Sequence, residues 1–192
     1  MLRPAVFLDR DGTINVEVNY LHRADDVELI PGVGQAIAQL NRAGLLVVVV
    51  TNQAGIARGF YDVSDVAAVH AHMTMLLQQH GAQIDGWYFC PHHPDFTPAC
   101  SCRKPLPGML LQAASDLKID LRASWMIGDT QGDIEAGKAA GCRSILVRTG
   151  YGEKTALELE KQGVLEIVAD LPAAVGVILG GVGSGQNAQP QP

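Results

Sequence analysis

Two carboxylates, Asp9 and Asp11, flank a single arginine and are followed at once by Gly12-Thr13. An aspartate can attack a phosphorus atom and carry the phosphoryl group as an aspartyl-phosphate. A second carboxyl beside it can give a proton to the departing oxygen and later take one from water. Gly12 would let the chain turn sharply and keep backbone N–H groups close to a phosphate. Other residues supply what such a reaction still needs: Thr51 a hydroxyl, Lys104 a point charge and Asp129 a hard oxygen. A carboxylate nucleophile is repelled by a phosphate dianion unless a cation screens both, and two or three aspartates suit Mg2+. Asp129 would complete such a site with Asp9. Asp133 either serves it as well or only caps its own helix.

A second constellation is Cys90-Pro91-His92 followed by Cys100-Ser101-Cys102. Three cysteines and a histidine form a recurrent closed tetrahedral zinc set, with His93 as the alternative to His92. A loop holding Pro91, Pro94 and Pro98 has little core of its own, so a metal would supply its order. Four protein ligands leave no position open for chemistry, so a zinc ion on Cys90, His92, Cys100 and Cys102 would be structural. It would pin a loop of about residues 90–103 that delivers Arg103 and Lys104. Cys142 reads as a buried core thiol. Asp25, Asp26 and Asp62 read as turn or cap residues, and His22, His70, His72 and His80 as surface residues.

The elements that must position these groups follow from the apolar runs. Strands are expected at Ala5–Leu8, Leu45–Val50, Ile84–Phe89, Ser124–Ile127, Arg143–Val147 and Leu165–Val168. Helical patterns occupy Val33–Ala43, Ser64 (as N-cap) to about His80, Pro107–Leu117, Asp133–Ala140, Thr155–Gln162 and Leu171–Leu179. Leu45–Val50 has no polar break, which marks a strand covered on both faces. Strand–helix alternation implies an α/β fold with a parallel, Rossmann-like sheet between two helical layers. Sites in such sheets lie beyond the carboxyl ends of the strands, where Asp9, Thr51 and Asp129 fall.

The chain has 192 residues, 47% hydrophobic and 18% charged, with a net charge of −6. That suits one domain, taken as residues 1–179, with a Gly-, Ser-, Gln- and Pro-rich tail from 180 to 192 read as disordered. The acidic balance offers no field for nucleic acid. No apolar run is long enough to span a membrane, and no signal peptide fits the first residues. A cytoplasmic protein is expected.

The run Ala5 to Thr13, then Thr51, Lys104 and Gly128-Asp129 with Asp133, resembles the motif set of the haloacid dehalogenase (HAD) superfamily. The resemblance implies that Asp9 and Asp129 bind Mg2+ through carboxylates and Asp11 through its backbone carbonyl. It sharpens with Asn19-Tyr20, Ile30-Pro31-Gly32-Val33, Thr51 through Gly59, Cys90-Pro91-His92-His93-Pro94 and Cys100 through Met109. These segments are similar to the heptose bisphosphate phosphatase family. Such enzymes remove the 7-phosphate of D-glycero-D-manno-heptose 1,7-bisphosphate on the way to nucleotide-activated heptose for lipopolysaccharide core.

The intervals from Asp9 to Thr51 and from Thr51 to Lys104 leave no room for a separate cap domain, so loops must select the substrate. Arg103 is the expected partner of the retained phosphate, since a guanidinium binds phosphate bidentately. Glu17, Asn19, Tyr20, Asn52 and Gln53 would meet the sugar hydroxyls. Arg58 could help or lie at the surface. Thr130 stands where some relatives carry lysine. The competing readings are a histidinol-phosphate phosphatase and, from another class, a phospho-receiver signalling domain. The resemblance implies a small-molecule sugar bisphosphate as partner, and a monomer is expected.

Overall fold

The computed structural model describes residues 1–160 and 166–183. Six strands, β1 (Ala5–Leu8), β2 (Leu46–Asn52), β3 (Gly86–Cys90), β4 (Trp125–Gly128), β5 (Arg143–Val147) and β6 (Glu166–Val168), form one sheet in the order β3-β2-β1-β4-β5-β6. All neighbouring pairs are parallel. The expected α/β architecture is therefore present, with no separate cap domain among the described residues.

Alternation along the strands decides what each face packs against. Val6, Leu8, Val47 and Val49 bury one face under α1 (Val33–Arg42), α2 (Val63–Gln78) and α6 (Leu171–Gly183). Ala5, Phe7, Val48 and Val50 bury the other under α3 (Gly108–Leu117) and α4 (Gln131–Ala140). A smaller cluster of Ile134, Leu146, Ala156 and Leu159 seats α5 (Gly152–Leu159). Because β1 and β2 face helices on both sides, their apolar residues are continuous rather than alternating with polar ones.

Several boundaries differ from the sequence expectation for identifiable reasons. Helix α2 begins at Val63 with Asp62, not Ser64, as its cap: the Asp62 carboxylate accepts from Ser64 N and Asp65 N, and Asp65 completes a capping box. Helix α4 begins at Gln131 because Thr130 caps it, with Asp133 at the third position. Strand β3 starts at Gly86. Just before it, the Asp85 carboxylate takes the Val47 N–H at 2.8 Å. Helix α6 runs to Gly183, so the expected tail starts no earlier than 184, and its remainder, 184–192, lies outside the described residues. So do 161–162 of the fifth expected helix and Leu165 of the last expected strand.

His70 is a correction. It faces inward from α2 beside Val66, Val69 and Met73, and its ring stacks on Trp87 with centroids 4.4 Å apart. Burial, reinforced by the Arg10 charge, pushes its pKa down to about 3, so it is a neutral core residue. Cys142 is buried as expected.

Candidate active site and metal centres

The chain builds β1, β2 and β3 outward in one direction and then returns to place β4 on the other side of β1. The crevice between β1 and β4 is where crossovers diverge and leave room for a ligand. Asp9 leaves β1 there and Asp129 leaves β4. Glycines let the backbones approach. A Cβ on Gly12 or Gly150, both at positive φ, would strike the Asp129 carboxylate, and one on Gly128 would strike Asp133.

Lys104 joins these carboxylates. Its Nζ lies 2.8 Å from Asp9 Oδ1 and 2.5 Å from Asp133 Oδ1, and it donates to the Val50 carbonyl at 2.8 Å. The lysine is held from behind by Asn52, whose Oδ1 accepts from Lys104 N and whose Nδ2 donates to Lys104 O, each at 3.1 Å. Asp133 also accepts from Thr130 N and Oγ1. It therefore both caps α4 and anchors Lys104.

Asp11 is gripped from three sides. Arg10 Nη2 donates to Oδ2 at 2.8 Å and Nε to both oxygens at 3.1 Å. Asn15 Nδ2 donates to Oδ1 at 3.0 Å and Gln53 Nε2 to Oδ2 at 3.2 Å. The Arg10 side chain is fully buried.

The crevice opens as a cavity of about 280 Å³ lined by Asp9, Asp11, Glu17, Thr51, Lys104, Asp129 and Asp133, with Asn19, Tyr20, Tyr61, Thr130 and Tyr151 around them. Five carboxylates face one ammonium. Burial, then the Asp133 charge, pushes the Asp9 carboxyl up to about 8 against the pull of Lys104. Burial likewise raises Asp129 to about 7, and burial with the Asp11 and Asp9 charges raises Glu17 to about 7. Lys104 is raised: burial opposes its charge, but Asp133 and Asp9 outweigh that.

These carboxylates fit a hard divalent cation. Asp9, Asp129 and Asp133 each offer an oxygen within 4.8 Å of the others. Asp129 Oδ2 accepts from Tyr151 N at 2.7 Å, whereas its buried Oδ1 has no hydrogen-bond partner. A buried carboxylate oxygen without a donor is costly, and a metal satisfies it.

Cys90, His92, Cys100 and Cys102 also converge, with ligand atoms within 4.8 Å of one another. Cys90 Sγ lies 3.7 Å from Cys100 Sγ, 3.6 Å from His92 Nδ1 and 3.0 Å from Cys102 Sγ. Tetrahedral zinc–thiolate bonds set sulfur atoms about 3.8 Å apart, so this cluster could hold zinc after small adjustments. His93 points elsewhere: its Nε2 lies 3.0 Å from Arg58 Nη2, and the Arg58 guanidinium sits over the Phe96 ring. That leaves His92 as the cluster's imidazole and ties Arg58 to the loop.

The sequence-predicted residues Asp9, Asp11, Glu17, Asn19, Tyr20, Thr51, Asn52, Gln53, Lys104 and Asp129 all line the cavity. Arg103 does not. Its guanidinium donates to the His92 carbonyl at 3.1 Å, on the side of the cysteine loop. Sequence reasoning missed Arg10 and Asn15, which hold Asp11, and Tyr61 and Tyr151 in the cavity wall. Adjacency to Asp11 was a signal for Arg10. Tyr61 had only Gly55, whose missing side chain makes room for its ring.

A HAD-hydrolase-like family model matches residues 101–174. The chain is 46% identical to the D-glycero-beta-D-manno-heptose-1,7-bisphosphate 7-phosphatase of Yersinia pestis, over 90% of this chain and 95% of that protein. It is 45% identical to the Escherichia coli K12 protein of the same name, over 90% and 93%. Its fold is similar to the crystal structure of D,D-heptose 1,7-bisphosphate phosphatase from B. bronchiseptica complexed with magnesium and phosphate. There the TM-score is 0.83 and the identity 38%, covering 93% of this chain and 99% of that one.

Proposed function

The chain belongs to the D-glycero-β-D-manno-heptose-1,7-bisphosphate 7-phosphatase family of HAD-like hydrolases, and we propose that it removes the 7-phosphate of that sugar bisphosphate and leaves the 1-phosphate in place. The observation that carries this reading is the convergence of Asp9, Asp129 and Asp133 around Lys104 at the β1–β4 crevice. The product would feed nucleotide-activated heptose synthesis in the cytoplasm.

Asp9 is the nucleophile. One of its carboxylate oxygens bonds to the 7-phosphorus as the bond from phosphorus to the sugar oxygen breaks. The departing oxygen takes a proton from Asp11. Water then attacks the aspartyl-phosphate, Asp11 takes the water's proton, and the bond to Asp9 breaks to give inorganic phosphate. Arg10 stabilises the carboxylate that Asp11 becomes once its proton has left. Lys104 keeps Asp9 in place, and the Thr51 hydroxyl and backbone N–H groups near Gly12 receive phosphate oxygens. Asp9, Asp129 and the Asp11 carbonyl would hold Mg2+, whose charge would let the anionic nucleophile approach the anionic phosphate.

Glu17, Asn19 and Tyr20 face the sugar. Arg103 binds the retained 1-phosphate after exchanging the His92 carbonyl for it, one residue from Lys104. Cys90, His92, Cys100 and Cys102 would hold zinc, which would fix the loop from which both extend. Initial rates against both heptose bisphosphate anomers, histidinol phosphate and fructose 1,6-bisphosphate test the substrate. The heptose should have the highest kcat/KM, and a higher value for histidinol phosphate would overturn the assignment.

A further inference from the structure

Gln53 has no polar atom left for a substrate. Its side chain is 2% exposed. Its Oε1 accepts the Tyr61 hydroxyl at 2.7 Å, and its Nε2 donates to Thr51 Oγ1 at 2.9 Å and to Asp11 Oδ2 at 3.2 Å. A primary amide has two donor hydrogens and an acceptor oxygen with two lone pairs, so these contacts use both hydrogens and one lone pair, and burial leaves little access to the other. The Asp11 carboxylate only accepts, so the amide NH2 must face it and Thr51, and the amide oxygen is left facing Tyr61, whose hydroxyl donates to it and holds the amide in that place. The ring is itself fixed: Gly55 leaves the space it occupies, since a Cβ there would collide with it. His22 stacks over it with centroids 5.6 Å apart and planes 8° from parallel.

Two consequences follow at the reacting groups. Thr51 Oγ1 receives a hydrogen bond from Gln53, so its own proton is directed toward another acceptor. Asp11 receives its contact from the residue that follows β2, Gln53, whereas Arg10 and Asn15 hold it from its own segment. Through that bond the acid/base on the β1 side keeps its place relative to the hydroxyl of β2.

We propose that Tyr61 and Gln53 are positioning residues that set the Asp11 carboxyl for phosphoryl transfer, and that Gln53 does not contact the sugar. This rests on the reading of Asp11 as the acid for the leaving oxygen. An acid matters most for a poor leaving group. The test is kcat/KM of the magnesium-loaded full chain for phenyl phosphate and for 2,4-dinitrophenyl phosphate. Neither ester carries sugar hydroxyls, and kcat/KM reports transfer to Asp9 rather than later hydrolysis. Tyr61→Phe keeps the ring, and Gln53→Met keeps the volume if the first variant folds poorly.

In either variant kcat/KM for phenyl phosphate should fall about tenfold, and for 2,4-dinitrophenyl phosphate by less than about twofold. An equal fall for both esters would reduce the pair to loop scaffolding. No fall for either, with a loss confined to the heptose bisphosphate, would return Gln53 to the sugar site. Asp11→Asn separates the underlying reading: if it shows no leaving-group dependence, the acid role of Asp11 fails. If Asp11→Asn shows that dependence and Tyr61→Phe does not, the relay alone fails.

Discussion

Replacing Lys104 by methionine keeps most of its apolar stem and removes one buried charge. In the parent, the Lys104 side chain is 3% exposed and that of Asp133 0%, and their charged atoms meet at 2.5 Å. The substitution leaves Asp133 buried with only its Thr130 contacts and Asp9 without its counter-ion. Breaking a buried pair from one side costs about 3–5 kcal/mol, a large share of the roughly 5–15 kcal/mol that holds a domain together. The lysine pKa is raised on folding, so its stabilisation is fully present below the unfolded value and is lost only as pH rises through the still higher folded value. Between about pH 5 and 9 its own contribution should therefore be constant. The cost should shrink toward pH 5, because Asp9, whose carboxyl burial already pushes up, can then take a proton. Urea unfolding in EDTA at pH 5 and pH 8 reads both effects. A variant within about 1 kcal/mol of the parent at pH 8 would show that Asp133 does not depend on Lys104.

Three further outcomes are expected. The raised Asp9 and Asp129 pKa values mean that Mg2+ must displace protons, so its affinity should climb from pH 5.5 and level off above about 8; isothermal titration in two buffers of different ionisation enthalpy would show the released protons, and a pH-independent affinity would contradict the assignment. Those shifts are upward, so without Mg2+ they stabilise the fold below the unfolded carboxylate range, and that stabilisation is lost as pH rises through about 7–8. Thermal melts in magnesium-free buffer without chelator should accordingly fall between pH 5 and 8.5, with Mg2+ restoring the loss. Burial holds the Cys90 thiol well above its ordinary range, and zinc would reverse this by binding thiolate. A chelator assay should release about one zinc per chain, with activity lost in step, and zinc-free protein of full activity would refute the structural role.

The strand ends were legible because a polar residue closing an apolar run is unusual: Asp9, Thr51 and Asp129 each stand where such a run ends. The cysteine loop was legible because its ligand types crowd a stretch with no core. What stayed hidden was how side chains are committed across strands. Gln53 and Asn52 follow Thr51 and look equally free for a sugar. Yet Gln53 is engaged by Tyr61, Thr51 and Asp11, and Asn52 is paired with the Lys104 backbone. His70 resembled a surface histidine until α2 turned it onto Trp87. Arg103 neighbours Lys104 in sequence, but consecutive side chains of an irregular loop can point to opposite sides, and here they do.

The most direct measurement follows D-glycero-β-D-manno-heptose 1,7-bisphosphate by 31P NMR through many turnovers with the parent chain and with Asp9→Asn. The parent should convert the 7-phosphate resonance into inorganic phosphate while the 1-phosphate resonance persists, and Asp9→Asn should leave both untouched. Loss of the 1-phosphate signal, or continued turnover by Asp9→Asn, would contradict the assignment of Asp9 as the nucleophile of a 7-phosphatase.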